Sequence, residues 1–190
     1  MLKKLRLFPI TTRNNDALPT YGSPIMLQTE AVSDELNSVE ISITPVVKTK
    51  TLSADDKEVE LKRDVRYTGT LRAYHVDADA AAAIFGFTKD ANSNIVEVMN
   101  AAKKSFCIFF EAGTGKEVKY QKYLYDVKFD TPNFSFATDA GEETANLEIT
   151  FTGEFVVIGG KQVRGVTVYS GKTGFVADEP TTVYAEAAGA

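Results

Sequence analysis

Two alternating runs on either side of a long charged connection constrain this chain more than any other feature. In the first run Val39, Ile41 and Ile43 alternate with Glu40, Ser42 and Thr44. In the second, Val65, Tyr67, Gly69, Leu71 and Ala73 alternate with Arg66, Thr68, Thr70 and Arg72. A period of two is that of a strand with one dry face and one wet face. Between the runs lie residues 48–64, of which ten of 17 are charged, five of each sign. Hairpin connections usually take about 2–5 residues. A connection this long is predicted either to lack order or to touch something. It holds no catalytic set, so the second option means a partner surface. Its charges sum to zero, unlike a nucleic-acid patch, and their alternating signs suit a complementary copy or neighbour.

The flanking sequence builds on this unit. Leu5 to Ile10 is predicted as a strand, with Pro9 confining it to an edge or a strand end. Residues 11–24 read as a loop or arm. Asp77 is placed to cap a helix from Ala78 to Phe85, and Gly86 to stop it. Two to three turns are unstable alone, so Ile84 and Phe85 must pack on a sheet. Ile95 to Met99 reads as a short strand. The unbroken apolar run Ser105 to Phe110 predicts a strand buried on both faces. Gly113 to Gly115 turn the chain into a second long strand, Val118 to Phe129, with Tyr123, Tyr125, Val127 and Phe129 on one face. In Ala145 to Ile158, Leu147, Ile149, Phe151, Phe155 and Val157 alternate with polar residues. Gly159-Gly160 predicts a tight hairpin returning through Gln162 to Tyr169. The expected fold is mainly β with one short helix (α+β). It is a β-sandwich or barrel of six to eight strands in a single domain spanning 1–190.

Reactive chemistry is thin. There is one histidine, His75, and one cysteine, Cys107, inside the apolar run. A lone histidine has no second ligand for zinc, and apolar burial raises a thiol's pKa. Gly171-Lys172-Thr173 and Gly113-Thr-Gly-Lys116 each lack the earlier glycine of a phosphate loop, with Val166 and Phe110 in its place. Asp55-Asp56 reads as a turn rather than a cation site. Asn133-Phe-Ser135 matches a glycosylation sequon without a secretion signal. A net charge of −5 argues against gripping nucleic acid, though not against letting it slide past. The basic start lacks the apolar stretch of a signal peptide, and no run approaches the ~18 residues of a membrane span. No enzyme activity, cofactor, metal or membrane partner is expected.

The order of features resembles the major tail protein, or tail tube protein, of long, flexible-tailed, non-contractile bacteriophages. The motifs are the Tyr21-Gly22 turn, Leu52-Ser-Ala-Asp-Asp56, Arg66-Tyr-Thr-Gly-Thr-Leu71 and the helix end Ala83-Ile-Phe-Gly86. A polar turn at Asp90, the aromatic strand, the Lys-Tyr-rich strand 119–125, Pro132 and Leu147-Glu-Ile-Thr-Phe-Thr152 complete the set over about residues 20–158. The resemblance implies a virion tail subunit, made in the bacterial host cytoplasm and similar in fold to the type VI secretion tube protein. Six-fold rings would stack into a hollow tube that passes double-stranded DNA, alongside a tape measure and other tail proteins. It also implies that residues 48–63 contact the adjacent ring, through Leu52, Ser53, Asp55, Asp56, Lys57, Glu58, Glu60 and Lys62.

Under that reading, edge-to-edge joining in a closed ring removes bare sheet edges, and the terminal stretches 8–24 and 172–190 cover a neighbour. The wet face then lines the bore. Glu40, Ser42, Thr44, Glu148, Thr150 and Glu154 are its candidate residues, hydroxyls and carboxylates that do not hold DNA phosphates. Arg66 and Arg72 oppose this assignment unless they pair with those glutamates. The alternatives are a monomeric β-sandwich binding module, or another tail part such as a terminator or a secretion tube subunit.

Overall fold

The computed structural model describes residues 2–26, 40–54, 57–73, 78–92, 94–98, 102–114, 117–131, 133–135, 146–176 and 180–184. Its elements in chain order are β1 (Leu2–Thr12), β2 (Thr20–Tyr21), β3 (Ile25–Met26), β4 (Glu40–Ala54), β5 (Lys57–Ala73), α1 (Ala78–Phe85), β6 (Thr88–Lys89) and β7 (Ile95–Val96). There follow β8 (Ser105–Thr114), β9 (Glu117–Phe129), β10 (Asn133–Ser135), β11 (Asn146–Glu154), β12 (Val156–Ile158), β13 (Lys161–Val163) and β14 (Gly165–Tyr169). The protein is mainly β with one short helix, as the alternation predicts. Strands outnumber the expected six to eight because several are two- or three-residue pairings too short to leave a period.

Ten strands form one antiparallel sheet with the path β2-β1-β8-β9-β11-β5-β4. β3 adds to β1, β10 to β11 and β14 to β9. β1 is longer than expected, and Pro9 lies between the stretches that pair with β3 and β2. Its missing N–H therefore costs no ladder bond there, and its carbonyl accepts the Gly22 N–H at 2.8 Å.

β8 carries the core on both faces, as its apolar run requires. Phe106, Ile108 and Phe110 join a cluster with Leu71, Phe151 and the helix residues Ile84 and Phe85. Cys107 and Phe109 join a second cluster with Phe8, Tyr123, Tyr125 and Val156. The helix ends as predicted: Gly86 has φ 74° and its N–H bonds the Ala82 carbonyl at 3.1 Å. Asp77, the expected cap, lies outside the described residues. Gly159 and Gly160 have φ 56° and 73°, the paired left-handed turn of a two-residue hairpin.

Two faces differ from the expected alternation. Tyr123 and Tyr125 lie in the second cluster, whereas Val127 and Phe129 lie in the first. The β8–β9 register steps from Phe106↔Val127 to Ile108↔Leu124, so Tyr125 and Asp126 together oppose Cys107. This β-bulge inverts the side-chain order, which a fixed period of two cannot anticipate. In the second case β11 ends at Glu154, and Val156 is buried while Val157 is 43% exposed. The break at Phe155 shifts the phase by one residue. The strand expected over Ile95 to Met99 covers only Ile95–Val96.

The bulge leaves Asp126 buried, and a charged neighbour compensates it. Arg13 reaches across with Nη1 on Asp126 Oδ2, Nη2 on Asp126 Oδ1 at 3.1 Å and Nη2 on Ser105 Oγ at 2.9 Å. A bidentate guanidinium is the partner a buried carboxylate requires. Asp16 accepts the Gly160 N–H at 2.6 Å, and the Tyr21 hydroxyl bonds the Tyr125 carbonyl at 2.7 Å. At the other terminus, Gln121 exchanges bonds with both backbone groups of Val176 (2.6 and 3.0 Å), and Tyr125 bonds the Tyr184 carbonyl at 3.1 Å. Both terminal stretches were expected to cover a neighbour. Within the chain itself, Leu18, Tyr21, Phe175, Val183 and Tyr184 of these stretches pack against the second cluster.

Cys107 is fully buried, and burial pushes its thiol well above the ordinary value. Native protein is therefore expected to show no reaction with a thiol reagent, and one equivalent on unfolding. Rapid labelling of the folded chain would contradict this packing.

Candidate functional site

The first candidate surface is the extension of β4 and β5. Their pairing is one continuous ladder from Glu40↔Arg72 to Ala54↔Lys57. The stretch 48–63, expected as a loop, is therefore a two-stranded ribbon. Hydrophobic alternation is invisible where both faces are wet, although Lys48-Thr-Lys-Thr51 is compatible with a strand through its β-branched threonines. The ribbon leaves the sheet at a bulge. Val46 pairs with Arg66, Val47 pairs with Asp64, and Val65 is the extra residue. β11 follows β5 only as far as Tyr67. Beyond Val65 the ribbon has no sheet neighbour among the described residues. At about 3.3 Å per residue, Val47 to Ala54 project roughly 25 Å.

Residues 47–51 and 60–64 are all exposed, including Val47 at 44% and Leu61 at 50%. Cα register places Lys48 opposite Arg63 and Lys50 opposite Leu61. One step along, Val47 opposes Asp64, Thr49 opposes Lys62 and Thr51 opposes Glu60. Successive pairs present opposite faces. One face of this proximal half is thus cationic and apolar, and the other is mixed. Of the sequence-predicted contact residues, Leu52, Ser53, Lys57 and Glu58 lie within the ribbon strands, with Ser53 opposite Glu58. Glu60 and Lys62 are exposed and 3.5 Å apart. Asp55 and Asp56 lie outside the described residues, as does His75.

The ribbon is anchored by a reciprocal aromatic–glycine lock. On β5 and β11, Gly69 opposes Phe151 and Tyr67 opposes Gly153. Each ring lies across the glycine facing it. A Cβ on Gly153 would fall 1.9 Å from Tyr67 Cζ, and one on Gly69 would fall 2.2 Å from both Phe151 Cζ and the Ser42 carbonyl oxygen. Both aromatic rings are nearly fully buried. Glycine is required here for close approach of a neighbour.

The second candidate surface is the wet face of β4, β5 and β11. Register stacks its side chains in rows: Glu40, Arg72 and Glu148; then Ser42, Thr70 and Thr150; then Thr44, Thr68 and Thr152. Glu40, Ser42, Thr44, Thr150 and Glu154 are exposed, and Glu148 is half-buried. Arg72 bonds Glu148 at 3.1 Å and Glu40 at 3.4 Å, which leaves that row with a net single negative charge. Thr150 donates to Asp130 at 2.9 Å. The objection raised by Arg72 is removed by its two glutamates, whereas Arg66 is exposed without an ion pair among the described residues. Cross-strand pairing between residues 32 and 76 positions apart is not legible from local periodicity.

Of the phosphate-loop look-alikes, Gly113 and Thr114 end β8 and residues 115–116 lie outside the described residues, whereas Gly171-Lys172-Thr173 is a turn. Gly171 and Gly174 have φ 78° and 88°, with Lys172 N–H on the Tyr169 carbonyl at 3.0 Å and Phe175 N–H on the Lys172 carbonyl at 3.1 Å. Among the described residues no three His, Cys, Asp or Glu side chains gather as a metal site, and no helix is long and apolar enough to cross a membrane.

No protein-family model and no curated protein matches this chain. Among solved structures, it is similar to a chain in the tube-terminating cap of the anti-feeding prophage. Identity there is 12%, covering 88% of this chain and 89% of that one, with a TM-score of 0.38. A chain in the six-fold symmetrised baseplate of the same particle matches at 10% identity, 90% and 96% coverage, and a TM-score of 0.41. A chain in the extended sheath–tube complex PVC, an extracellular contractile injection system, matches at 14% identity, 74% and 93% coverage, and a TM-score of 0.35. The last of these belongs to a contractile injection system, whereas the motifs of the sequence resemble non-contractile tails.

Proposed function

We propose that this chain is a structural tail protein, a tube subunit that works through contact surfaces rather than reactive groups. Copies join into six-fold rings, the rings stack through the β4–β5 ribbon, and double-stranded DNA passes through the bore. Its other partners are a tape measure and further tail proteins, and its place is the tail of a phage-like particle. The observation that carries this reading is the ribbon itself: a projecting pair of strands, exposed on both faces over residues 47–51 and 60–64, with Val47 and Leu61 bare to water. Isolated two-stranded ribbons are marginal in water, so one this long is best explained by a second surface that completes it. The hydroxyl rows of the wet face suit a bore wall, because they present few cations for a phosphate backbone to hold.

Negative-stain microscopy of the concentrated full chain, with sedimentation velocity, tests the proposal. Rings or stacked tubes are the expected result. A chain that stays monomeric at every concentration reached would overturn it and favour a monomeric binding module.

A further inference from the structure

The projecting ribbon has two unlike faces. Successive rungs alternate between them, so Lys48↔Arg63 and Lys50↔Leu61 share one face, while Val47↔Asp64, Thr49↔Lys62 and Thr51↔Glu60 share the other. All of residues 47–51 and 60–64 are exposed. The first face carries Lys48, Lys50 and Arg63 and no acid. Lys48 and Arg63 stand directly opposite each other, a like-charge rung that destabilises an isolated ribbon. Arg63 spends one N–H on Gln162 at 3.1 Å and keeps its charge, and neither Lys48 nor Lys50 has an ion pair among the described residues. On the second face the one cation, Lys62, lies 3.5 Å from Glu60, and Asp64 has no ion pair among the described residues. The register carries the split outward: Ala54↔Lys57 falls in the first set of rungs and Ser53↔Glu58 in the second. Each face also bares one apolar side chain, Leu61 at 50% on the first and Val47 at 44% on the second.

We infer that the ribbons of neighbouring copies pack face to back, the Lys48, Lys50 and Arg63 face of one against the Glu60 and Asp64 face of the next. The inference rests on the self-assembly reading and adds to it a partner surface and the symmetry of the contact. Charge complementarity between the two faces selects a second copy's ribbon as the occupant. The competing arrangement is isologous, in which a face meets itself. Through the first face it would set three cations against three cations. Through the second it would leave those cations and Leu61 bare. Face-to-back packing brings carboxylates across from the Lys48↔Arg63 rung and covers both Val47 and Leu61 in every copy. Such a contact is heterologous: each ribbon keeps one face open for a further copy, and the series closes into a ring where the rotation fits.

The test reverses one face at a time in the full chain and reads self-association by sedimentation velocity. K48E/K50E reverses the first face and E60K/D64K the second. Each is expected to associate about tenfold more weakly than wild type or worse, because like charges now meet across the contact. The chain carrying all four substitutions is expected to recover association, since its faces are complementary again with the signs exchanged. An equal mixture of the two double variants is expected to recover it as well, with the two kinds of chain alternating. The substituted positions are exposed, so the unfolding midpoint of each dilute chain is expected to stay near that of wild type. Where wild type assembles, wild-type-like association of either double variant overturns the face-to-back contact and leaves the assembly reading standing. So does a loss that neither the fourfold variant nor the mixture recovers. A wild-type chain that never assembles overturns the assembly reading itself, and with it the neighbouring ribbon as the partner.

Discussion

Gly69→Ala is expected to destabilise the folded chain by about 3 kcal/mol, the upper end of the usual overpacking range. The added Cβ would stand 2.2 Å from the Ser42 carbonyl oxygen on one side and 2.2 Å from Phe151 Cζ on the other. The ring has little freedom to turn away, since Phe151 is 1% exposed and packs edge-on to Phe129 with centroids 6.0 Å apart. The carbonyl belongs to β4, so the alternative is to push the outermost strand off the sheet. Gly153→Ala meets only the far end of Tyr67, yet Tyr67 is fully buried beneath Arg164, so a cost of about 2 kcal/mol is expected there. Gly160→Ala is the control. It has φ 73° and open space around it, so only the left-handed backbone is penalised, by roughly 1 kcal/mol. Urea unfolding monitored by circular dichroism measures all three. Equal midpoints for Gly69→Ala and Gly160→Ala would refute the aromatic–glycine lock.

Removing the ribbon is expected to abolish assembly and spare the fold. Val46 and Arg66 are directly paired, so replacing residues 47–65 with Asn-Gly closes a two-residue hairpin on an existing rung. Among the described residues the contact given up is slight: one bond from Arg63 to Gln162 at 3.1 Å joins the ribbon to the β12–β13 hairpin. An exposed bond of that kind contributes about 1 kcal/mol at most, so the melting temperature is expected to move by only a few degrees. The shortened chain is expected to remain monomeric at concentrations where the full chain forms rings or tubes. Sedimentation velocity on both chains checks this. Assembly of the shortened chain at the same concentration would mean that the ribbon is not the stacking element.

The two predictions differ in how far the sequence foresees them. The dry face of β5 was readable residue by residue, because Tyr67, Gly69 and Leu71 recur at the strand period. The reason Gly69 must be glycine was not readable, because the ring that fills its space is Phe151, 82 residues away. Likewise the charge and length of 48–64 marked it as unusual, but its strand character was hidden. Binary patterning records which face is buried, and residues 48–51 and 60–64 bury neither within one chain. The Arg72 rung and the Arg13–Asp126 pair share that limit. Each joins residues that only the strand order brings together.

Local periodicity and backbone chemistry therefore determined the elements: a strand buried on both faces at 105–110, a helix stopped by Gly86, a hairpin turned by Gly159-Gly160, and one wet and one dry face on β5. Those features depend on neighbours within a few positions along the chain. Strand order, the bulges at Val65 and at Tyr125–Asp126, and the projection of the ribbon were decided only by tertiary structure. Register is set by whichever strand lies alongside, and an inserted residue reverses every side chain beyond it.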